Sequence, residues 1–374
     1  MKPVYINDIG FIANLGIDPL SAWEKALSGE STFTQLEGYP VARVEHSAFA
    51  EFAPDYKPYR KLDRSTQLAL FASQQLSRLK KDQSTLIAIG SSRGATETWE
   101  KAYENYTDSG ASHLLDSPTT TAGQLASNVG AYLQMNSHVD IDQSITCASG
   151  LRAVADACAW LNAGFVSQAI AGGAEAPITP FTLSQMKALK IVGGEGEWPC
   201  RALDPNLNTN TMVLGEGSVL LHLSTEASED AARIVGVGFG TETGMSATGL
   251  SPDGQCLQSS MKMACKIAGW DKPDAIIAHA PGTIKGDRSE IAGIHTLFGE
   301  DIPVTSSKYL TGHCFGSSGP VSIWMAIQMM KNNRWMRPDW APQHEPETLN
   351  RIIVNAVGFG ANAVSLAIEY NSAR

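Results

Sequence analysis

Four stretches of the sequence carry residue types that could do chemistry, and the first of them contains a cysteine. Cys147 lies within residues 144–150, directly before an alanine-rich stretch, 151–164, that is typical of a helix. A thiol at a helix N-terminus lies near the positive end of the helix dipole, which lowers the thiol pKa and favours the nucleophilic thiolate. Cys147 is therefore a candidate nucleophile, and a small buried structural cysteine is the alternative.

The second and third stretches each place a histidine after a strand-like run. His279 follows the apolar run 274–278, and His313 follows a shorter run, with Lys308 between that run and the histidine. Because α/β folds form their sites at the carboxyl ends of strands, two histidines in glycine-rich loops at such ends predict a site, although either could be structural. The fourth stretch, 355–362, is a glycine-rich turn whose backbone can approach another group closely.

A hydrolase is a competing interpretation, because residues 90–94 fit Gly-x-Ser-x-Gly and follow an apolar strand. A hydrolase serine needs a sharp corner that leads at once into a helix, and the sequence after Gly94 predicts a helix only weakly. The short motif also arises easily in a chain with 34 glycines. The hydrolase interpretation leaves Cys147 unexplained and is the weaker of the two.

Composition excludes several classes of protein. The 374 residues carry a net charge of −10, which argues against a general nucleic-acid surface. The start of the chain has no apolar signal-peptide region, and no stretch reaches the ~18 apolar residues of a membrane span. The six cysteines include no Cys-x-x-Cys pair, so we expect neither a disulfide framework nor a zinc site and predict a reduced, cytoplasmic protein.

The secondary-structure pattern predicts an α/β protein. Residues 85–90 form a short apolar run ending in glycine, typical of a strand buried on both faces. Residues 65–79 have helical spacing, with Ser65 as the expected N-cap. Strand-like and helix-like stretches alternate in this way along the chain, which favours helices layered on sheets.

The second half of the chain echoes the first. Three strand patterns recur in the same order: the N-terminal strand at 233–238, the strand 85–90 at 274–279, and the segment 215–221 at 360–368. A repeat of this length predicts a duplicated α/β unit. The polar stretch at 225–233 is the expected joint, which gives an N-terminal half at 1–230 and a C-terminal half at 231–374.

Six ordered motifs together resemble the β-ketoacyl-acyl-carrier-protein synthases. The motifs are residues 146–150, 171–175, 214–217, 279–287, 308–313 and 358–360, with 63–67 as a further match near the start. The resemblance covers essentially the whole chain and implies a thiolase-like fold, with duplicated α-β-α-β-α layered halves and the active site between them. It also implies a dimer, either of two identical chains or of this chain with a paralogous ketosynthase or chain-length factor.

The resemblance assigns the central residues. Cys147 resembles the acylated nucleophile, and His279 and His313 resemble the histidine pair of the elongating Cys-His-His branch. Lys308 resembles the lysine of the site, and Glu290 the acidic residue of the same network.

Further roles follow from the same resemblance. Phe359 resembles a gating phenylalanine, and the backbone N–H groups of Cys147 and Phe359 would form an oxyanion hole to which Gly358 and Gly360 allow close approach. Thr283 resembles a threonine that holds the phosphopantetheine arm.

The implied activity is that of a 3-oxoacyl-[acyl-carrier-protein] synthase. An acyl chain on Cys147 would be condensed with malonyl-carrier protein, with loss of carbon dioxide and without a metal or redox cofactor. The sequence departs from the family at Pro281, at the loop 207–212 and at 361–363, which suggests a specialised fatty-acid, polyketide or polyene pathway.

Two related alternatives remain. The first is a non-catalytic subunit resembling a chain-length factor, although such subunits usually lack the cysteine that this chain keeps. The second is a thiolase acting on coenzyme A thioesters, but thiolases use a second cysteine near the C-terminus and the last cysteine here is Cys314.

Docking of an acidic carrier protein on this acidic chain requires a local group of cations. Arg60, Lys61 and Arg64 form the densest basic cluster near a family-like motif and are the predicted docking residues. Lys262 and Lys266, one turn apart on a predicted helix, form a second candidate.

Overall fold

The structure is a computed structural model that describes residues 1–29, 32–45, 59, 61–122, 124–243 and 249–371. Its strands are β1 Val4–Ala13, β2 Thr34–Leu36, β3 Tyr39–Ala42, β4 Thr85–Gly90, β5 His138–Gln143, β6 Gln168–Glu175, β7 Leu214–Gly215, β8 Gly217–Ser224, β9 Ala232–Thr241, β10 Ala275–Ile277, β11 Val304–Thr305, β12 Arg351–Gly358 and β13 Asn362–Glu369.

The helices lie between and around these strands. They are α1 Pro19–Ser28, α2 Arg64–Gln74, α3 Thr96–Ser109, α4 Asp116–Thr120, α5 Gln124–Leu133, α6 Ser149–Ala163, α7 Pro180–Ala188, α8 Gln255–Ala268, α9 Ile284–Phe298, α10 Lys308–Thr311 and α11 Ser318–Lys331, with a 3₁₀ turn at Phe315–Ser317. Within the described ranges, no helix is both long and apolar enough to cross a membrane.

The main sheet contains the duplication that the sequence predicts. Ten strands run in the order β11-β10-β12-β13-β9-β1-β8-β6-β4-β5. On the N-terminal side, β8 is antiparallel to β1, β6 is antiparallel to β8, and β4 and β5 continue parallel to β6. On the C-terminal side, β13 is antiparallel to β9, β12 is antiparallel to β13, and β10 and β11 continue parallel to β12. The two sides therefore have the same topology, with β9 in the place of β1, β13 in the place of β8 and β10 in the place of β4.

The core is arranged in five layers. Helices α6 and α11 pack together and against strands of both halves, and their apolar side chains belong to one buried cluster. A second cluster covers the outer face of the N-terminal strands with α2 and α5, and a third covers the C-terminal strands with α8 and α9. This α-β-α-β-α order is the predicted thiolase-like fold. It buries α11 almost completely, with 13 of its 14 residues in the core.

The predicted N-cap of the first long helix was wrong. Helix α2 is capped by Asp63, whose carboxylate accepts from the backbone N–H of Ser65, and Ser65 itself lies inside the helix. The helix ends at Gln74, with Gln75 as its C-cap, and so is shorter than the predicted 65–79. The Gln75 side-chain amide instead bonds the backbone of Phe11, which ties the end of α2 to β1.

Candidate active site

Cys147 lies at a tight corner between β5 and α6. Thr146 has a φ of 58°, which turns the chain so that Cys147 comes two residues before the first residue of α6. The hydroxyl of Ser149 accepts from the Ile145 N–H at 2.9 Å and closes the corner. Cys147 is only 6% exposed and lines a cleft.

The electrostatics of the thiol differ from the sequence expectation. Burial raises the pKa of Cys147 to about 12, and the negative charge of Glu175 adds to this, while Lys308 and Arg93 act in the opposite direction. The expected lowering by the helix N-terminus is outweighed, because removing the thiolate from water costs more than the helix dipole returns. The resting side chain is therefore a protonated thiol.

His313 contacts the thiol directly. Its Nε2 lies 3.2 Å from Cys147 Sγ, and its Nδ1 lies 2.9 Å from the hydroxyl of Ser318 at the start of α11. Because a serine hydroxyl can donate or accept, His313 can either accept the Cys147 proton at Nε2 or present an Nε2–H. Burial and the nearby Lys308 charge lower the pKa of His313 well below 6.5, so the ring is neutral at rest.

His279 lies beside His313. The two ring centroids are 5.1 Å apart and the rings are nearly perpendicular, at 86°. Burial, Lys308 and His313 lower the pKa of His279 well below 6.5, so this ring is also neutral. Cys147 and both histidines line the same cleft, and the structure thus brings together three residues that lie far apart in the sequence.

Glu290 and Lys308 hold the backbone of His279. The two carboxylate oxygens of Glu290 accept from the N–H groups of His279 and Ala280 at 2.9 and 2.8 Å. The Lys308 ammonium donates to the carbonyl oxygen of His279. Lys308 is 1% exposed, and burial lowers its pKa while the charge of Glu290 opposes the shift. Both residues thus fix the position of the His279 backbone, and the charge of Lys308 also lowers the pKa of the His279 ring.

The glycine-rich turn lies against the cysteine corner. A Cβ built on Gly358 would overlap the Thr146 hydroxyl and lie 3.1 Å from the Cys147 nitrogen, so only glycine fits there. Gly360 has a φ of 82°, which a residue with a side chain rarely adopts. Between them, Phe359 lines the cleft with 39% of its surface exposed. The turn therefore brings the Gly358 backbone close to that of Cys147.

The cleft is large enough for an extended, mainly apolar group. Its volume is about 710 Å³. Apolar side chains in its wall include Met186, Leu189, Ile191, Met212, Leu250 and Ile284. Thr283 and Pro281 lie in the same wall, so the residue predicted to hold a prosthetic arm lines the cleft, with the proline two positions before it.

The predicted docking residues differ in their surroundings. Arg60 lies outside the described residues, and Lys61 is exposed. Arg64 points inward: its Nε donates to Glu216 Oε2 at 3.0 Å, and the Glu216 side chain is 1% exposed. Such a geometry suits a structural ion pair and not a docking cation. Lys262 and Lys266 are exposed on α8.

The structure also argues against the hydrolase. The Ser92 N–H is bound by the Glu175 carboxylate, and the next helix, α3, starts only at Thr96. A hydrolase corner would lead directly from the serine into a helix.

Some residues that contact the site were given no role by the sequence. Ser318, outside every motif, contacts His313. Asn355 begins the glycine-rich stretch 355–362 and donates to Glu290 at 3.1 Å. Phe315 stacks on His313, with centroids 5.0 Å apart and an angle of 15°. Glu175 lay within a matched motif, and a glutamate closing a wholly apolar strand is a signal of a buried charge.

The layered, duplicated fold and its clustered cysteine and histidines define the class of thiolase-fold condensing enzymes. Residues 1–229 match the family model described as "Beta-ketoacyl synthase, N-terminal domain", and residues 231–338 match "Beta-ketoacyl synthase, C-terminal domain". The chain belongs to the β-ketoacyl synthase family.

Individual relatives cover nearly the whole chain. "3-Oxoacyl-[acyl-carrier-protein] synthase 2" of Staphylococcus aureus (strain COL) is 27% identical over 98% of this chain and 98% of its own. "Tetracenomycin polyketide synthase ketoacyl synthase alpha subunit" of Streptomyces glaucescens is 27% identical over 92% and 88%. Among solved structures, "The ishigamide ketosynthase/chain length factor" has a TM-score of 0.85 at 17% identity, covering 99% of this chain and 100% of its own, and it supports the fold.

Proposed function

We propose that the protein is a 3-oxoacyl-[acyl-carrier-protein] synthase that condenses an acyl chain on Cys147 with malonyl-carrier protein. The observation that carries the proposal is the 3.2 Å contact between His313 Nε2 and Cys147 Sγ, with the neutral His279 ring beside it. A thiol with an adjacent base can be acylated, and two neutral imidazoles can donate hydrogen bonds to an enolate. Both halves of a decarboxylative condensation thus have their groups in one cleft.

In the first half-reaction, His313 takes the thiol proton and the Cys147 sulfur attacks the thioester carbon of an acyl-carrier protein. The N–H groups of Cys147 and Phe359 stabilise the tetrahedral oxyanion. The bond from carbon to the carrier sulfur then breaks, and the leaving thiolate takes the proton back from His313. Since the resting thiol is protonated, a positioned base is needed for the attack.

In the second half-reaction, malonyl-carrier protein loses carbon dioxide. The electron pair of the broken carbon–carbon bond forms an enolate, whose oxygen accepts from Nε2–H groups of His279 and His313. The enolate carbon attacks the acyl-Cys147 thioester, a new carbon–carbon bond forms, and the Cys147 thiolate leaves. A proton from solvent restores the thiol. The proposed chemistry requires no metal or redox cofactor.

The alternative function is a non-catalytic subunit resembling a chain-length factor, since one structural neighbour contains such a subunit. The convergence of Cys147, His279, His313 and Lys308 favours catalysis, because a subunit without chemistry has no use for that arrangement.

We place the activity in a specialised fatty-acid, polyketide or polyene pathway, in a reducing cytoplasm. Pro281 supplies neither a hydroxyl nor an N–H to the cleft wall, where family members have a threonine. One relative, by its name, belongs to a polyketide synthase. All six cysteines are buried free thiols, which fits a reducing compartment.

A second chain, identical or paralogous, is proposed as a partner. Strand β5 closes one edge of the main sheet, and its first three residues are exposed. Such an edge offers unpaired backbone groups to a second strand. Helix α3 exposes Trp99, Tyr103 and Tyr106 on one face, at 56%, 60% and 52%, and an apolar face of this kind suits an interface.

The carrier protein is proposed to dock near the mouth of the cleft. Lys61 is one exposed cation, and Lys190 and Lys285 are two more. The Asn210 side chain donates to the Lys190 carbonyl at 2.8 Å and accepts from the Ile284 N–H at 2.9 Å, so both lysines flank one wall of the cleft. Cations there can attract the acidic surface and the prosthetic-arm phosphate of a carrier.

Intact-mass spectrometry after incubation with an acyl-carrier protein tests the proposal. The expected result is one acyl adduct per chain, located on the Cys147 peptide and absent from Cys147→Ala. Addition of malonyl-carrier protein should then remove the adduct. A wild-type chain that never acquires an adduct, with several carrier-bound acyl chains, would support the non-catalytic alternative.

A further inference from the structure

Glu175, the last residue of β6, is a buried carboxylate beside the cysteine corner. Among the described residues, only one of its two oxygens accepts hydrogen bonds. Its Oε1 accepts from the Ser91 hydroxyl at 3.1 Å, from the Arg93 N–H at 3.3 Å and from the Ser92 N–H. Gly316 also lies beside this oxygen, because a Cβ built on Gly316 would be 3.0 Å from Oε1. Its Oε2 is buried and has no partner among the described residues. A buried acceptor without a hydrogen-bond partner is energetically costly.

The segments that Glu175 binds enclose Phe315, which stacks on His313. The guanidinium carbon of Arg93 lies 5.4 Å from the centre of the Phe315 ring, and Gly316 follows Phe315 directly. The carboxylate thus bonds the backbone of one segment beside this aromatic ring and packs against Gly316 on the other. Since His313 contacts Cys147, the position of Glu175 is coupled by direct contacts to the base and the nucleophile.

The charge of Glu175 acts on the thiol as well. It raises the pKa of Cys147, second only to burial, while Lys308 and Arg93 lower that pKa. Burial raises the pKa of Glu175 itself to about 7, so its charge changes near neutral pH. The charged or titratable groups that face the pair are His313, Lys308, Arg93 and Cys314.

We propose that Glu175 is a positioning residue of the active site. Its carboxylate joins the loop after β4 to the turn that carries Phe315, and its negative charge opposes ionisation of the Cys147 thiol. The resting site therefore keeps a protonated thiol in contact with the neutral base His313. This inference deepens the proposed function and rests on it for the identity of the nucleophile.

Glu175→Gln separates the charge from the hydrogen bonds, because glutamine keeps an acceptor oxygen and loses the carboxylate. The measurement is the rate of Cys147 alkylation by iodoacetamide as a function of pH, followed on the Cys147 peptide by mass spectrometry. At about pH 9, well below the thiol midpoint, the alkylation rate should rise roughly threefold or more, since removal of a nearby negative charge stabilises the thiolate. Asp142→Asn is the matched control: Asp142 is also a partly buried carboxyl with a raised pKa, about 6, and its neutralisation should leave the alkylation rate unchanged.

A second measurement uses the unaltered chain, in case the variant does not fold. Below the thiol midpoint, the logarithm of the alkylation rate should rise with pH at unit slope, and the slope should fall below one near pH 7 as Glu175 ionises. An unchanged alkylation rate at about pH 9 in folded Glu175→Gln, or a unit slope through pH 7 in the wild type, would overturn the proposal. Alkylation needs no carrier protein, so this result is independent of whether condensation is observed.

Discussion

His313 Nε2 lies 3.2 Å from Cys147 Sγ, although the two residues are 166 positions apart in the chain. Cys147 comes from the N-terminal half and His313 from the C-terminal half, and α6 and α11 begin beside them and pack together in the central layer. The duplicated fold thus places a nucleophile from one half against a base from the other. The site forms only when both halves are folded and packed.

Replacement of either histidine by alanine should slow malonyl decarboxylation. Each loses one donor to the enolate, which corresponds to about 2.7–4 kcal/mol of transition-state stabilisation. The two variants should differ in the first half-reaction: His313→Ala should also slow acylation of Cys147, because His313 contacts the sulfur, while His279→Ala should affect acylation much less. Carbon dioxide release and intact mass measure the two steps. An unchanged decarboxylation rate in either variant would assign that histidine a structural role.

The rate of decarboxylation should depend little on pH between about 8 and 6. The pKa of His279 and that of His313 both lie well below 6.5 because of burial and the charge of Lys308. Lowering the pH through 6.5 therefore leaves both rings neutral, and two neutral imidazoles keep their roles. Cys147→Gln, which imitates an acylated cysteine, isolates this step for the measurement. A loss of rate centred near pH 6.5 would show that the histidines titrate as exposed ones do.

The architecture could be predicted from the sequence because its signals are local and repeated. Wholly apolar runs mark strands buried on both faces, and their recurrence marks the duplication. The ordered motifs likewise placed Cys147, His279 and His313 in one site. A single polar residue gives no comparable signal. Ser318 contacts His313 only five positions away, but no pattern marks that serine, and the bond from Asn355 to Glu290 joins segments 65 positions apart.

The expectations for the Cys147 pKa and for Arg64 were wrong because both depended on tertiary surroundings that the sequence does not show. The helix N-terminus above Cys147 could be read from the sequence, but the burial that outweighs its effect on the thiol pKa could not. Arg64 was placed in a docking cluster by charge alone, and its partner Glu216 lies 152 positions away.

Lys61, an exposed cation, is expected to attract the carrier protein. Lys61→Glu should raise the apparent KM for a carrier-bound substrate and weaken the dependence of KM on salt, because a rim charge acts through long-range attraction. Activity toward a small free pantetheine thioester should stay nearly the same. The same measurement is made after charge reversal of Lys190 together with Lys285, and of Lys262 together with Lys266. The pair whose reversal raises KM for the carrier-bound substrate identifies the surface that docks the carrier. Equal loss toward both substrates would mean that a charge supports the fold.

Arg64→Met should lower the stability of the protein. Among the described residues, the change leaves the buried Glu216 carboxylate with only the Val44 N–H and without its cationic partner, and loss of the cation costs about 3–5 kcal/mol in other buried pairs. Urea unfolding measures the free energy, with Lys61→Met as the exposed control. A stable Arg64→Met protein with a raised KM for carrier substrate would restore Arg64 as a docking residue.

Pro281→Thr should strengthen binding of the prosthetic arm. The substitution returns a hydroxyl to the cleft wall beside Thr283, and one such hydrogen bond contributes about 1 kcal/mol, or about fivefold in KM. The KM for a pantetheine thioester is the quantity to measure, and Thr283→Val, which should raise it, is the matched comparison. If neither Pro281→Thr nor Thr283→Val changes KM, the prosthetic arm does not bind along this wall of the cleft.

The most direct test of the account is analysis of the carrier-bound product by mass spectrometry, with acyl-carrier protein and malonyl-carrier protein supplied together. The wild-type chain should give a 3-oxoacyl chain two carbons longer than the acyl donor. Cys147→Ala should give none, although it folds, and Cys147→Gln should release carbon dioxide without forming that product. Formation of the 3-oxoacyl product by Cys147→Ala would contradict the central claim that Cys147 carries the acyl chain.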